Sequence, residues 1–352
     1  MTIAESRPPD RETPARASPR ARRGALSRLL RAAALALTVA SVLPLAGRWH
    51  WTFDLFAHFP AYYAGLLAIV MLALALRRQA LLCALLTAPL LLNLAALAPV
   101  MLGAAAPAGA GPRVRILHLN VLGPNRDTAR ALAELRTREV DLLVIEELRP
   151  HWSAALRELP GYSFVVDHPR ADNFGLALLR RDDAPLRIDA AQVIEEPGLP
   201  PMIDATITAL PEGDADPNAE ALSLSLLAAH PHPPAPAWRF AARDALFDYA
   251  AAWAIRERAR GRAPVLIGDL NATPFSPVLR QLCARAGLVN SQRGHGYQGT
   301  FPATLPVLPI PIDHALHDPS LTTTRRRVGP AVGSDHLPLE LELAPARAAG
   351  SG

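Results

Sequence analysis

The sequence has 352 residues, half of them apolar, and a formal net charge of +4. Residues 1–31 hold eight arginines and three acids, whereas residues 113–352 hold 25 arginines and 28 acids. The positive charge therefore belongs to the N-terminal part, which excludes a strongly basic nucleic-acid-binding face on residues 113–352.

The first hundred residues have the composition of a membrane anchor. Residues 1–24 are rich in proline, arginine, serine and alanine without an apolar period, which predicts a disordered basic tail. Three uncharged stretches follow, at Ala32–Gly47, Leu55–Leu76 and Ala80–Leu102. Because a bilayer crossing takes about 20 apolar residues, we predict three transmembrane helices within residues 25–102. A signal peptide is the alternative for the first stretch.

The basic flanks of these stretches predict their orientation. Arg77 and Arg78 and the N-terminal tail belong on the cytoplasmic side by the positive-inside rule. Three crossings would make the chain a multi-pass protein of the inner or plasma membrane, with the domain that follows outside the cytoplasm. If the first stretch does not cross, that domain is cytoplasmic instead.

A linker at residues 103–112 leads to an alternation of apolar strands and amphipathic helices over residues 113–345, which predicts an α/β domain. Residues 346–352 are predicted to be a disordered tail. The predicted strands are Arg113–Val121, Val140–Ile145, Phe174–Leu179, Met202–Leu210, Ala221–Ala229, Val265–Ile267, Ile312–Leu316, Leu321–Val328 and Leu337–Leu343. The predicted helices are Thr128–Arg138, Trp238–Arg260 and Pro277–Ala286.

Polar side chains stand at the ends of six of these strands. Each alone is explained as a turn or cap residue, but ligands of α/β sheets bind where strand ends converge. Carboxylates there suit Mg²⁺ or Mn²⁺, and imidazoles beside acids move protons near neutral pH. The set is Asn120, Glu147, His230, Asp269, Asn271, Asp313, Asp335 and His336.

Five short motifs carry a resemblance to a known family. They are Leu-Asn-Val at 119–121, Asp-Leu-Leu-Val-Ile-Glu-Glu at 141–147, Gly-Asp-Leu-Asn at 268–271, Ile-Asp-His at 312–314 and Ser-Asp-His at 334–336. In this order, residues 113–345 resemble the DNase I-like endonuclease/exonuclease/phosphatase superfamily. The resemblance implies a four-layer α/β sandwich, with two packed mixed sheets flanked by helices, and divalent-metal-dependent hydrolysis of phosphoesters.

The resemblance also implies roles for the metal ligands and the general base. Glu147, rather than Glu146, and Asp335 would bind Mg²⁺ or Mn²⁺, with Asn120 holding metal-bound water or phosphate. His336 would activate the attacking water as the general base, and Asp313 would orient its other ring nitrogen.

Three further residues would act on the phosphoryl group. Asp269 and Asn271 would contact it and the nucleophile, and His230 would donate to a phosphoryl oxygen or the leaving group. His232, two residues on, leaves a choice of imidazole; we favour His230 because it directly follows the strand, and a zinc site using both is the rival. Glu146 replaces a glutamine usual in the family and adds negative charge.

The expected function is therefore that of a phosphodiesterase or nuclease-like hydrolase. Phospholipid head-group hydrolysis, as in sphingomyelinases, or phosphomonoester hydrolysis is the second hypothesis, and a membrane-held binding module on an inactive hydrolase scaffold is the third. The expected partners are the bilayer and a nucleic acid, phospholipid or small phosphoester; no protein partner is predicted. Substrate specificity would lie in the loops 211–218, 287–299 and 301–311.

Overall fold

The computed structural model describes residues 19–211, 220–305 and 307–347. Most of the predicted basic tail, most of the loop 211–218 and residues 348–352 lie outside the described residues. Helix α1 begins at Pro19, within the segment predicted as a tail. The N-terminal helices are α1 (Pro19–Val42), α2 (Trp51–Phe56), α3 (Pro60–Leu76) and α4 (Ala80–Leu102).

Within the part of the chain that the structure describes, two helical segments, rather than the predicted three, are long and apolar enough to cross a membrane. They are Gly24–Ala46 and Ala80–Leu102, with 23 residues each. Helix α3 has 17 residues, which is about 26 Å at the helical rise, short of a hydrocarbon core of about 30 Å. The predicted span from Leu55 was wrong because the chain turns between α2 and α3. Asp54 in α2 and His58 in that turn are buried against the domain that follows.

The remainder of the described chain contains two six-stranded mixed sheets. The first has the strand order β11-β12-β1-β2-β4-β3 and the second β5-β6-β7-β8-β10-β9. The strands are β1 (Val114–Asn120), β2 (Leu142–Glu146), β3 (Tyr162–His168), β4 (Leu176–Arg181), β5 (Leu186–Ile194), β6 (Met202–Ala209), β7 (Leu222–Ala229), β8 (Ala263–Asp269), β9 (Val289–Asn290), β10 (Asp313–His317), β11 (Leu321–Val328) and β12 (Leu339–Pro345). The flanking helices are α5 (Thr128–Leu135), α6 (Pro150–Leu156), α7 (Ala237–Ala259) and α8 (Pro277–Ala286).

The alternation of side chains along each strand builds three apolar layers. Ile116 and Val144 on the first sheet meet Ile267 on the second in the layer between the sheets. The opposite face of the first sheet packs on α5 and α6, and that of the second packs on α7 and α8. The predicted four-layer α/β sandwich is confirmed.

Strand pairing brings the strand ends that carry the predicted site residues to one edge of the sandwich. The pairs β1–β2 and β7–β8 are parallel, so their carboxyl ends lie together. Strand β10 is antiparallel to β8 with Asp313 opposite Asp269, and β12 is antiparallel to β1 with Leu339 opposite His118. The segments that precede β10 and β12 therefore reach the same edge.

One buried histidine predicts an acid sensitivity of the fold. His314 on β10 donates from Nε2 to the Ala272 carbonyl (2.8 Å), and its Nδ1 faces the Asn290 amide (3.3 Å). Burial lowers the pKa of His314 to about 3. Below pH 6.5 this histidine is protonated in the unfolded chain but stays neutral in the folded chain. The free energy of unfolding therefore falls as the pH drops from 6.5 toward 3, by up to about 1.4 kcal/mol per pH unit. Thermal midpoints measured between pH 4 and 7 should fall less steeply in His314→Gln than in the unmodified chain; equal slopes would contradict this assignment.

Candidate active site

Most of the predicted site residues line one cavity of about 470 Å³ at this edge of the sandwich. Asn120 and Asp313 are the two that do not; they lie directly behind lining residues and bond to them. The predicted residues that line the cavity are Glu147, His230, Asp269, Asn271, Asp335 and His336. Residues from four segments far apart in the sequence are thus brought together.

His336 and Asp313 form a buried hydrogen-bonded pair. The ring Nδ1 of His336 donates to Asp313 Oδ2 across 3.0 Å. Ser334 Oγ accepts from the His336 backbone N–H (3.0 Å) and donates to the Asn120 carbonyl (2.7 Å), which fixes the turn before β12. The imidazole is therefore held through Nδ1, and its Nε2 lies 3.5 Å from Asp269 Oδ2.

The charges of this cluster perturb one another strongly. Burial alone would lower the pKa of His336, but the carboxylates of Asp313 and Asp269 outweigh it and raise the pKa to about 10. Burial likewise opposes ionisation of Asp313, yet His336 and His118 hold its pKa below the ordinary value. Burial raises the pKa of Asp269 to about 6. Asp313 is thus the ionised partner that orients the imidazole.

Asp269 lies between two imidazoles. Its Oδ2 is 3.5 Å from Nε2 of His230 as well as of His336. His230 Nδ1 donates to the Asn173 carbonyl (3.1 Å), which directs Nε2 toward Asp269. His232 instead packs its ring edge-on against Phe174 and Trp238. The geometry favours His230 for a role at the phosphoryl group.

Glu147 and Asp335 supply carboxylates to the cavity without a basic partner. Glu147 has a left-handed φ of 56°, and its carboxylate accepts from the Gly123 N–H (2.9 Å) and the Asn120 side-chain amide (3.2 Å). Neither Glu147 nor Asp335 forms an ion pair with any residue that the structure describes. A largely buried carboxylate normally has a cation beside it, and hard oxygen donors suit Mg²⁺ or Mn²⁺.

A second set of potential ligand atoms lies deeper. Atoms of Asp269, Asp313 and His336 lie within 4.8 Å of one another. The negative charge of Asp313 is already compensated by its hydrogen-bonded partner His336, so this set suits proton transfer better than metal binding. Among the described residues, no third ligand joins His230 and His232 to form the rival zinc site.

The family comparison agrees with this geometry. The model of the "Endonuclease/Exonuclease/phosphatase family" matches residues 117–336, from β1 to the candidate base. The chain belongs to the endonuclease/exonuclease/phosphatase family. Members of this family are divalent-metal-dependent enzymes whose fold generally hydrolyses phosphoesters.

Solved structures share the sandwich of this family member at low sequence identity. Truncated TDP2 of Caenorhabditis elegans has a TM-score of 0.51 at 14% identity, over 66% of this chain and 98% of that chain. An endonuclease/exonuclease/phosphatase of Beutenbergia cavernae DSM 12333 has a TM-score of 0.52 at 18% identity, over 67% and 72%. A functionally unknown conserved protein of Enterococcus faecalis V583 has a TM-score of 0.51 at 18% identity, over 66% and 100%. No curated protein matches the chain significantly.

His118, a buried residue behind the cavity of this family member, was not predicted from the sequence as part of the site. Its Nε2 lies 3.0 Å from Glu146 Oε2, and its Nδ1 lies 3.4 Å from Asp313 Oδ1. Glu146 Oε2 also accepts from the Asp269 N–H (2.9 Å). The extra carboxylate therefore faces the space between the sheets, whereas Glu147 faces the cavity. Burial opposes the charge on His118, but Glu146 and Asp313 raise its pKa.

Gly268 allows this close approach of the two sheets. It has a φ of 153°, and a Cβ at this position would collide with the Ala229 carbonyl and the Glu146 carboxylate. The glycine that opens the Gly-Asp-Leu-Asn motif is therefore required by packing, whereas Asp269 and Asn271 of the same motif line the cavity.

The pairing of His118 with Glu146 predicts an asymmetry between two variants. His118→Leu would leave Glu146 and Asp313 short of a buried positive charge and should lower the free energy of unfolding by about 3–5 kcal/mol. Adding Glu146→Gln should restore a substantial part of that loss, since it removes the unpaired carboxylate. Thermal midpoints of the two single variants and the double variant measure this; additive losses would show that the residues are not paired.

Proposed function

We propose that the chain is a divalent-metal-dependent phosphodiesterase that attacks phosphorus with a water activated by His336. One observation carries the proposal. A base held by an ionised carboxylate lies beside two carboxylates without basic partners, at one cavity large enough for a phosphoester.

The donor set fits Mg²⁺ or Mn²⁺ held by Glu147 and Asp335. Asn120 donates to Glu147 from behind, and would fix the orientation of that ligand. The bound cation would supply positive charge that stabilises the phosphoryl oxygens and lowers the pKa of neighbouring groups.

The chain's own residues would perform the proton transfers. A cation at Asp335 would offset part of the carboxylate charge that raises the pKa of His336 and would favour its neutral form. Once neutral, His336 takes a proton from water at Nε2, while Asp313 holds Nδ1–H and stabilises the resulting imidazolium. The water oxygen forms its bond to phosphorus as the bond to the leaving oxygen breaks. His230, when protonated, gives its Nε2 proton to that oxygen, and Asp269 and Asn271 hold the phosphoryl group and nucleophile.

A phospholipid head group is the second candidate substrate, and the loop between Phe301 and Ile310 favours it. Leu305, Val307 and Leu308 in this loop are exposed, Val307 by 77%. The loop begins at Phe301, whose ring packs 4.9 Å from that of His336. Near its other end, the Pro309 carbonyl accepts from the hydroxyl of Tyr62 in α3 (2.8 Å). Exposed apolar side chains between an active site and apolar helices suit a bilayer surface.

The proposed membrane position follows from the ends of the helices. Arg77, just after α3, donates to Ser27 in α1 (2.8 Å), so the basic ends of these helices lie together. The carboxyl end of α4 instead bonds to the catalytic domain, through Pro99 to Gly294 and Val100 to Gly296. The basic end and the catalytic domain therefore lie at opposite ends of these helices, and α3 packs against α1 and α4 and leads the chain back between them, although it is shorter than a full span. With the basic end cytoplasmic, the catalytic domain lies outside the cytoplasm.

The test is a substrate panel on the detergent-solubilised full chain. Bis-p-nitrophenyl phosphate, p-nitrophenyl phosphate, DNA, RNA and phospholipid vesicles are each incubated with Mg²⁺, Mn²⁺, Ca²⁺ or EDTA. Metal-dependent diester hydrolysis that is absent with EDTA supports the proposal, and faster release from vesicles favours the second candidate. No turnover of any substrate would leave the binding module as the function.

A further inference from the structure

A fully buried ion pair joins the N-terminal helices to the catalytic domain. Arg243 in α7 donates from Nη2 to Asp54 Oδ2 in α2 across 2.8 Å, and neither side chain is exposed to solvent. The other carboxylate oxygen of Asp54 accepts from Ser276 Oγ (2.7 Å). Removing two charges from water costs free energy, and this cost is offset only where hydrogen bonds satisfy the buried groups. Both carboxylate oxygens of Asp54 accept such a bond.

The same guanidinium reaches the back of the active site. Arg243 Nη1 donates to the backbone carbonyl of Asn271 (3.3 Å). Asn271 has a left-handed φ of 49°, a backbone state that is uncommon for residues other than glycine, although asparagine adopts it more readily than most, and that depends on support from its surroundings. Its own N–H donates to Asp269 and its side-chain amide to the Pro231 carbonyl. The backbone carbonyl of Asn271 is the remaining polar group of its backbone, and Arg243 donates to it.

A second contact from the same segment reaches the next turn of this loop. His58, which follows α2, accepts at Nδ1 from the hydroxyl of Thr273 (3.1 Å) and more weakly from its backbone N–H (3.4 Å). Asp54 and His58 thus both hold residues 269–276, which we call the catalytic loop. Asp269 and Asn271, near the start of this loop, line the cavity.

We propose that Asp54 is a positioning residue for the reaction: through Arg243 it holds the catalytic loop with Asn271 in its left-handed conformation, so the N-terminal helices form part of the active site's support. The inference rests on the proposed function for its effect on catalysis. Because a displacement of about 1 Å can reduce a rate about 100-fold, loosening the loop should lower kcat more than it raises KM.

The first test compares Asp54→Asn with Glu257→Gln in the full chain. Glu257 lies on the same helix as Arg243 and pairs with Arg262, but it bonds to nothing in the catalytic loop. Asp54→Asn should lower kcat for bis-p-nitrophenyl phosphate about 10- to 100-fold with little change in KM. Glu257→Gln should leave kcat unchanged for the folded fraction. An unchanged kcat in Asp54→Asn would overturn the proposal.

The double variant Asp54→Leu/Arg243→Met separates positioning from stability. Arg243 lies over the rings of Phe240 and Phe247, so an apolar pair fits that environment and should recover the thermal midpoint that Asp54→Asn loses. Since no donor to the Asn271 carbonyl returns, kcat should stay low. Recovery of kcat together with the thermal midpoint would show a merely structural role.

Hydrogen exchange gives a readout that needs no activity. In Asp54→Asn, peptides covering residues 269–276 should exchange their amide hydrogens faster, whereas in Glu257→Gln they should not. If the unmodified chain hydrolyses nothing but this contrast is seen, the proposed function fails and the support of the loop stands. Equal exchange in both variants would overturn the support itself.

Discussion

Replacing His336 by alanine should lower kcat for phosphodiester hydrolysis by about 10²–10⁴-fold, the usual contribution of a positioned general base. Its imidazole is held through Nδ1 by Asp313, so Nε2 is the nitrogen left to accept a proton from water. Asp313→Asn should have an effect in the same direction, because an amide can present its N–H to Nδ1 and then favours the wrong tautomer. Steady-state kinetics with saturating Mg²⁺ or Mn²⁺ measure both.

The matched control for His336 is His317, which lies at the other end of β10 from Asp313. It is also buried, and its ring bonds to the Asp318 carbonyl and to Thr323 Oγ1. His317→Gln removes an imidazole of the same sandwich that does not line the cavity, and should leave the kcat of the folded fraction unchanged. A comparable loss of kcat in both variants would point to general destabilisation rather than to a base.

Replacing Glu147 by glutamine should raise the metal concentration needed for half-maximal activity by more than the roughly 10- to 100-fold that loss of an outer partner of a metal site causes. Glutamine keeps the shape and can still accept from Asn120 and Gly123, but it removes the charge that a divalent cation requires. Titration of Mg²⁺ and Mn²⁺ against the rate measures the shift.

Glu146, the preceding residue, is the control for Glu147. It has the same charge but faces His118 between the sheets rather than the cavity. Glu146→Gln should therefore leave the metal requirement unchanged, even if it alters the thermal midpoint. An equal shift of the metal requirement in both variants would mean that the ion is not held by the carboxylate in the cavity.

The elements that carry the site could be predicted from the sequence because each is a short apolar strand followed at once by polar residues. Strands β1, β2 and β8 are buried on both faces, so they are read from continuous apolar runs. The family motifs then order the strand ends along the chain. Spacing alone does not place Asp313 beside His336. The family resemblance predicts that pair, because it supplies the geometry of the site.

Strands β3 and β5 and helix α6 were not predicted from the sequence, because their residue patterns are weak or short. Strand β5 lies at the edge of its sheet and exposes most of its side chains, so its apolar pattern is weak. Strand β3 is the edge of the other sheet and is only partly buried. Helix α6 has seven residues, too few for a helical period to be read.

Side-chain pairs between residues far apart in the sequence could not be predicted either. His118 is one polar residue in an apolar strand, and its partnership with Glu146 follows only once β1 and β2 pair in parallel register. Asp54 immediately precedes the stretch predicted as the second membrane span, and its partner Arg243 is 189 residues away. A lone acid there gives no sign of burial, so the contact between the N-terminal helices and the catalytic loop could not be predicted from the sequence.

The most direct measurement of the central claim is the position of Mn²⁺ by anomalous scattering in crystals of the full chain. The proposed site predicts one ion bound by oxygens of Glu147 and Asp335, at about 2.0–2.6 Å from each, with His336 still bonded to Asp313. An ion held instead by Asp269, Asp313 and His336, or no ion in the cavity at millimolar Mn²⁺, would contradict it.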